Sequence, residues 1–85
     1  MGMTPNRDVF VQYRVINGTK FIMKNYHVFE LDEIAGVVWD SLDGKTTIQQ
    51  IAENISKVYD VPLETVEHDI KQFIKELLEK ELIEV

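Results

Sequence analysis

Cysteine is absent from this 85-residue sequence. Its absence excludes disulfide bonds, thiolate zinc sites and cysteine nucleophiles, and it is compatible with a reducing compartment. No apolar run approaches the ~20 residues that a membrane-spanning helix needs, which disfavours a membrane protein. Residues 1–8 contain no apolar h-region, so we expect no secretory signal and a cytoplasmic location.

Histidine is scarce as well, with only His27 and His68 in the chain. A metal site would require both to converge with carboxylates such as Glu30 or Asp69, and nothing in the sequence demands this. There is no HExxH motif and no histidine pair on one helix face. The serines lie outside nucleophile motifs, and the glycines are too scattered for a phosphate-binding loop. We therefore predict no catalytic residue, no metal and no cofactor.

The charges that are present are unevenly distributed. Apolar residues make up 45% and charged residues 28% of the chain, an ordinary globular composition. Residues 1–31 hold four basic and two acidic residues, a net charge of +2, whereas residues 32–85 hold five basic and thirteen acidic residues, a net charge of −8. Such an acidic part repels a phosphate backbone and attracts a cationic peptide. The charge therefore disfavours nucleic acid as a partner.

Alternating apolar residues predict three antiparallel strands in the first part of the chain. The alternation over residues 9–15 is typical of a strand, and Asn17-Gly18 favours the positive φ values of a tight hairpin turn. Residues 21–23 then return antiparallel, and a short turn near Lys24-Asn25 leads to a third strand, residues 26–31. Together these strands predict a meander over about residues 9–31.

Helical periodicity predicts three helices over about residues 33–81. Asp32 lies where an N-cap belongs, and Gly44 is predicted as the C-cap that ends the first helix. Thr47 begins a capping box for the second helix, and Pro62 breaks that helix and starts the third. Residues 82–85 are apolar enough for a packed tail or a short strand. The prediction is one α+β domain over residues 1–85, a three-stranded antiparallel β-meander followed by three α-helices, arranged as a winged helix-turn-helix.

The third predicted strand is an edge of the meander if strand order follows chain order. Its unpaired N–H and C=O groups can then accept an added strand from another chain. Phe29 and Leu31 share one face of this strand, and Val28 and Glu30 share the other. A charge such as Glu30 limits uncontrolled pairing of edge strands, but the rest of this strand is apolar enough to favour the addition of a partner strand.

Asp69 lies beside the apolar stripe of the third predicted helix. An acid at such a boundary pairs with a basic side chain such as Arg14, caps a backbone N–H, or contacts a ligand, and the sequence leaves these alternatives open. Phe73 follows one turn later on the same side. Phe73 and Trp39 are typical of a core at this spacing, but Phe73 remains a candidate ligand contact because of its position next to Asp69.

Several short motifs occur in a fixed order along the chain. They are Leu31-Asp32 at a helix start, Leu42-Asp43-Gly44-Lys45-Thr46 with Ile48 and Ile51 after it, Tyr59-Asp60-Val61, and Asp69-Ile70-Lys71-Gln72-Phe73-Ile74 with Leu77. In this order and spacing they resemble the pyrroloquinoline quinone biosynthesis protein D (PqqD) family, over nearly the entire chain. Members of this family are recognition elements for ribosomally synthesised and post-translationally modified peptides (RiPPs). The resemblance implies a winged helix-turn-helix domain that binds the leader segment of a precursor peptide.

The resemblance also implies where the leader binds. It would add as an antiparallel strand to the edge of the third strand and lay side chains into a groove against the third helix. The corresponding positions in this chain are Tyr26, His27, Val28, Phe29, Glu30, Leu31, Asp69, Phe73 and Glu76. Main-chain pairing would provide affinity, and pockets for alternate side chains would provide specificity.

The predicted function is a non-catalytic leader-peptide-binding adaptor. It is most like the separate recognition proteins of lasso-peptide biosynthesis, which present the precursor to a leader peptidase. We expect the precursor leader peptide and a leader peptidase or other modifying enzyme as partners, and a monomer or weak dimer. The alternatives are a winged-helix DNA-binding protein, a PqqD-type peptide chaperone for a radical SAM enzyme, and a structural module that dimerises through residues 82–85.

Overall fold

A computed structural model describes residues 3–85 as a sequence of short strands and helices. Most of the strands precede the helices, as the periodicity of the sequence predicts. The elements in chain order are β1 (Asn6–Arg7), β2 (Gln12–Ile16), β3 (Thr19–Lys24), β4 (His27–Leu31), α1 (Glu33–Asp40), α2 (Ile48–Tyr59), α3 (Leu63–Glu79) and β5 (Ile83–Glu84).

Two tight turns build the main sheet, whose strand order is β2-β3-β4. Asn17 and Gly18 join β2 to β3, and Asn25 and Tyr26 join β3 to β4; all four residues have positive φ, as two-residue hairpin turns require. The meander and its antiparallel pairing are thus confirmed, with β2 and β4 as the edges. The predicted third strand was one residue too long, because Tyr26 lies in the turn and β4 begins at His27.

The first predicted strand also began too early. Val9 and Phe10 form a turn, because the Asp8 carboxylate accepts a hydrogen bond from the Phe10 N–H at 2.7 Å and the Asp8 carbonyl accepts one from Val11. An Asp side chain that bonds the backbone two residues on bends the chain in this way. β2 therefore starts only at Gln12.

Asp32 caps α1 as predicted, since its side chain accepts a hydrogen bond from the Ala35 N–H at 2.8 Å. The predicted end of this helix at Gly44 is wrong. α1 ends at Asp40, and Ser41 is its C-cap, with a hydroxyl that donates to the Val37 carbonyl at 2.8 Å. Gly44 lies beyond the helix in a loop, with φ of +78°.

Asp43 organises the loop that leads into α2. Its carboxylate accepts hydrogen bonds from the N–H groups of Lys45 and Thr46, both at 2.8 Å. These bonds lower the pKa of the Asp43 carboxyl below its ordinary value, first through Lys45 and then through Thr46. The capping box that follows at Thr47 is confirmed, with reciprocal hydrogen bonds to Gln50 at 2.9 and 3.0 Å.

The core lies between the helices and the inner face of β3 and β4. β2 lies outside this layer, since all five of its residues are exposed. Within residues 3–85 no helix is both long and apolar enough to cross a bilayer. The buried apolar side chains are Ile22, Leu31, Val38, Trp39, Leu42, Ile51, Ala52, Ile55, Val66, Ile70, Ile74, Leu77, Leu82 and Ile83.

The C-terminal tail packs within its own chain. Leu82 and Ile83 are buried, and β5 pairs antiparallel with β1, with Asn6 opposite Glu84 and Arg7 opposite Ile83. The prediction of a packed tail or short strand is confirmed, whereas β1 was not predicted. Leu82 and Ile83 pack into the core of their own chain, whereas Val85 is exposed.

Candidate functional site

One edge of the main sheet is β4, and its outer backbone groups are not used by the sheet. Lys24 and His27 close a two-residue turn and so form a hydrogen-bonded pair, and such pairs alternate along an antiparallel ladder. The N–H and C=O groups of Val28 and Glu30 therefore point away from β3. No turn, loop or cap group within residues 3–85 bonds to them. β4 thus presents the unpaired N–H and C=O groups of Val28 and Glu30 to an incoming strand.

The two faces of β4 differ sharply in their surroundings. Phe29 and Leu31 face the helices, and Leu31 is almost fully buried. Val28 and Glu30 face outward with their cross-strand partners on β3, and the Val28 side chain is 61% exposed. A strand added to β4 would hence direct alternate side chains toward the helices and toward solvent.

Phe29 and Phe73 join β4 to α3. Their rings meet edge to face, with centroids 6.4 Å apart and an interplanar angle of 70°. The Nζ atom of Lys80 lies 5.0 Å from the centroid of the Phe29 ring, within the range of a cation–π contact. The predicted site residues on the strand and on the helix are therefore in direct contact, and they form an aromatic floor beside the unpaired edge.

A groove of about 290 Å³ opens between α1 and α3 next to this floor. Apolar side chains form most of its walls, and two carboxylates, Asp32 and Asp69, lie at its rim. The ion pair among residues 3–85 joins Lys24 to Asp8, so neither rim carboxylate has a basic side chain at salt-bridge distance. We call this feature the α1–α3 groove; it is lined by Asp32, Ile34, Ala35, Val38, Asp69, Ile70 and Phe73.

Asp69 is exposed and does not pair with Arg14. The Arg14 guanidinium instead donates to the Gln12 side chain on its own strand, at 3.4 Å. No side-chain hydrogen bond within residues 3–85 involves Asp69. Of the alternatives that the sequence left open, the Arg14 pair is thus not observed, and the carboxylate faces the α1–α3 groove without a partner.

The remaining predicted site residues lie at the margins of the cleft between β4 and α3. Tyr26 is fully exposed at the turn, on the side of the sheet that faces away from the helices, in a shallow depression with Val28 and Met23. His27 is exposed at the start of β4, and Glu76 is exposed on α3 one turn beyond Phe73. The structure thus brings Phe29, Leu31, Asp69 and Phe73 to one side of the sheet.

Two parts of the site were missed at the level of sequence. One is the α1 wall, with Ile34 and Val38, because helical periodicity does not show which apolar residues line a groove. Lys80 is also absent from the predicted site, although it follows Phe73 by two helical turns and hence lies on the same side of α3. That spacing was the signal that could have placed Lys80 beside Phe29.

The structure gathers no metal-ligand set in the part of the chain that it describes. Within residues 3–85 no group of three or more His, Asp or Glu side chains converges in a way that could hold an ion. His27 and His68 are both exposed, one at the start of β4 and the other on α3.

Known proteins share this sequence pattern and fold. The sequence model of a family described as "Coenzyme PQQ synthesis protein D (PqqD)" matches residues 21–83. A PqqA binding protein of Rhizobium meliloti is 24% identical over 70 residues, which cover 82% of this chain and 71% of that protein. The bifunctional coenzyme PQQ synthesis protein C/D of Methylorubrum extorquens is 27% identical over 78 residues, but the match spans only 21% of its length.

Two solved structures resemble the whole fold. One is the solution NMR structure of the PqqD truncation of Methylobacterium extorquens PqqCD, described as a functional, stand-alone RiPP recognition element. It superposes with a TM-score of 0.80 at 26% identity, over 95% of this chain and 88% of that one. The other is TbiB1 in complex with the TbiA(beta) leader peptide, with a TM-score of 0.78 at 26% identity over 93% of this chain and 94% of that one. The chain therefore belongs to the PqqD family and has the fold of its RiPP recognition elements.

Proposed function

We propose that this protein binds the leader segment of a ribosomally synthesised precursor peptide as an added strand on β4. The observation that carries the proposal is the edge of β4, where Val28 and Glu30 direct unpaired backbone groups outward beside the Phe29–Phe73 floor. Strand addition uses such an edge for affinity, and the pockets beside it distinguish one peptide from another.

The similar proteins support a peptide ligand. One of them is named for binding PqqA, and another was solved with the leader peptide of TbiA. Since the match to the second covers 93% of this chain, the comparison extends across β4, α1 and α3. In the proposed role the protein performs no chemistry itself, and it holds the precursor in the cytoplasm for an enzyme that acts on it.

We further propose that the precursor is of the lasso-peptide type and that the receiving enzyme is a leader peptidase. The support for this narrower proposal is the sequence resemblance to the separate recognition proteins of lasso-peptide pathways. The second candidate is a peptide chaperone for a radical SAM enzyme, which the similarity to PqqD proteins favours. The reading frames beside the gene separate the two, because each pathway requires its own modifying enzyme.

DNA binding is disfavoured by charge, although the order of hairpin and helices would suit a winged helix-turn-helix. In such a protein α3 would enter the major groove, yet α3 carries five acidic residues against Lys71 and Lys75. A helix of that sign is repelled by phosphates. A gel-shift assay with mixed duplex DNA at low salt should therefore show no complex.

Fluorescence polarisation with a labelled leader peptide tests the proposal. The probe is a fluorescein-labelled synthetic leader of the precursor encoded beside this gene, titrated with the purified chain. We expect saturable binding, and a scrambled peptide of the same composition should bind at least about tenfold more weakly, since its side chains no longer match the pockets. If the adjacent precursors show no saturable binding, the proposed function is wrong.

A further inference from the structure

We propose that the α1–α3 groove receives a lysine or arginine side chain of the bound peptide. The inference rests on the proposed function, and it specifies the chemistry of one position in the peptide. That position lies two residues before the peptide residue that packs opposite Phe29. A peptide in the reverse direction, or shifted by one residue, would place a different side chain in the groove.

The position follows from the register of an added antiparallel strand. Such a strand runs from the Leu31 end of β4 toward the His27 end, and residues directly opposite each other point to the same face. Peptide residues opposite Leu31 and Phe29 would therefore face the helices. Asp32 follows Leu31 and lies at the rim of the α1–α3 groove. The residue opposite Leu31 thus enters the groove, and the residue two positions later meets Phe29.

The walls of the groove suit the stem of a long side chain. Ile34, Val38 and Ile70 provide an apolar lining, and the volume of about 290 Å³ exceeds what a small side chain fills. Lysine and arginine bury their methylene stems along such surfaces while the charged head remains at the rim. An apolar side chain would fill the walls equally well, so the walls alone do not decide the chemistry.

The two carboxylates at the rim, Asp32 and Asp69, favour a cation. The Asp69 carboxylate has no hydrogen-bond partner among residues 3–85. In the Asp32 carboxylate only the Oδ1 atom is used, and it accepts from the Ala35 N–H. Lys20 lies against Gly36 of α1 and shares a separate depression with Asp32, but it forms no ion pair with either carboxylate. A guanidinium or ammonium group at the rim would gain charge-assisted hydrogen bonds that no group of the chain supplies. A peptide carboxylate at the same place would be repelled.

Selection from a displayed library of random short peptides tests this inference without knowledge of the natural precursor. The immobilised wild-type chain should enrich peptides with alternating apolar residues and with lysine or arginine two residues before an apolar position. Replacement of that cation by methionine in a selected synthetic peptide should weaken binding to the wild-type chain about tenfold, as expected for a lost charge-assisted hydrogen bond.

The variant Asp69→Asn should lose the enrichment for a cation and bind the methionine and cation peptides within about twofold of each other. Glu79→Gln is the matched control, because Glu79 is on the same helix but lines a different groove with Ile48 and Lys75; this variant should keep the tenfold preference. Enrichment of strand-like peptides without a preferred cation, or a preference unchanged in Asp69→Asn, would overturn this inference alone. Failure of the wild-type chain to enrich any peptide would instead contradict the proposed function.

Discussion

Phe29 of β4 and Phe73 of α3 lie edge to face, with ring centroids 6.4 Å apart. This contact ties the edge strand to the helix across the proposed cleft. We predict that the two rings are coupled by about 0.5–1.5 kcal/mol in the free energy of unfolding, the usual range for such aromatic pairs. A double-mutant cycle with Phe29→Leu and Phe73→Leu, measured by urea denaturation, provides the coupling energy.

A second cycle controls for general effects of core substitution. Ile48 packs against the core on the other side of α3, in the groove that Glu79 also lines. Phe29→Leu and Ile48→Val should therefore be additive within about 0.5 kcal/mol. Equal additivity in the Phe29–Phe73 cycle would show that the ring contact contributes nothing beyond burial.

Proline at Val28 should weaken peptide binding and leave the fold intact. The Val28 N–H points away from β3, so a proline ring there removes a donor that only an added strand would use. We expect a loss of at least about tenfold in affinity for the labelled leader, because an unpaired acceptor remains buried in the complex. The circular dichroism spectrum should match that of the wild-type chain.

Proline at Phe29 serves as the matched comparison, and it should damage the fold that Val28→Pro leaves intact. The Phe29 N–H bonds to β3, since Phe29 pairs with Ile22 at a hydrogen-bonded position of the ladder. Phe29→Pro should therefore unfold the sheet or lower the stability by several kcal/mol, as expected for proline inside a strand. If Val28→Pro proves as destabilising as Phe29→Pro, the assignment of outward and inward N–H groups is wrong.

The sequence predicted those parts of the fold that depend on local chemistry. Asn17-Gly18 specifies a turn by itself, and Asp32 and Thr47 cap helices through backbone groups three residues away. The pairing of β1 with β5 was not predicted, because it joins residues 6 and 84 and a two-residue strand has no local sequence pattern. The end of α1 was misplaced because Gly44, although left-handed, serves a turn that Asp43 holds, rather than the helix.

The same distinction applies to the candidate site. The strand and helix that form it were predicted from edge position and from the family resemblance, since both follow from element order. Its groove was not, because the walls belong to α1 and α3 together, and only the packed fold shows that Ile34 and Asp69 line one space. The partnerless state of Asp69 likewise depends on where Arg14 lies, which periodicity does not specify.

Tyr26 occupies a turn position that glycine suits better. Its φ of +70° is in the left-handed region, and its side chain is fully exposed. A bulky residue in this region costs about 1–2 kcal/mol, and Asn-Gly is a preferred pair for this kind of turn. We predict that Tyr26→Gly raises the free energy of unfolding by about 1 kcal/mol in urea denaturation. Tyr26→Ala keeps a side chain at a residue with positive φ, so its free energy of unfolding should not rise. An equal rise in both variants would contradict this explanation.

Asp8 should contribute stability that disappears in acid. Its carboxylate accepts a hydrogen bond from Lys24 Nζ at 2.8 Å, and the same ammonium donates to the Glu81 carbonyl at 2.8 Å, so the contact joins three parts of the chain. The bond from Lys24, and then that from the Phe10 N–H, lower the pKa of Asp8 below its ordinary value of 3.8. A group with a lowered folded pKa stabilises the fold above the unfolded pKa, and this contribution is lost as the pH falls through the folded pKa.

The variant Asp8→Asn tests this linkage. Its melting temperature should be lower than that of the wild-type chain at pH 6, and the difference should shrink as the pH falls below about 4. Asp60→Asn is a suitable control, because Asp60 is exposed and forms no ion pair among residues 3–85. A difference between Asp8→Asn and wild type that stays constant from pH 6 to pH 2 would rule out the ionised carboxylate as the cause.

Alanine should destabilise the fold at Gly44 but not at Gly36, although an added Cβ would lie 3.2 Å from its nearest neighbour at both positions. Gly44 has φ of +78°, and an added Cβ would lie 3.2 Å from Asn6 Cγ, so Gly44→Ala should cost about 1–2 kcal/mol. Gly36 is inside α1 with ordinary helical φ, and its Cβ would lie 3.2 Å from Lys20 Nζ, the flexible end of a side chain. Since alanine exceeds glycine by about 1 kcal/mol in helix propensity, Gly36→Ala should be neutral or stabilising in urea denaturation. Destabilisation of both variants by the same amount would mean that close contact, rather than backbone conformation, determines the cost.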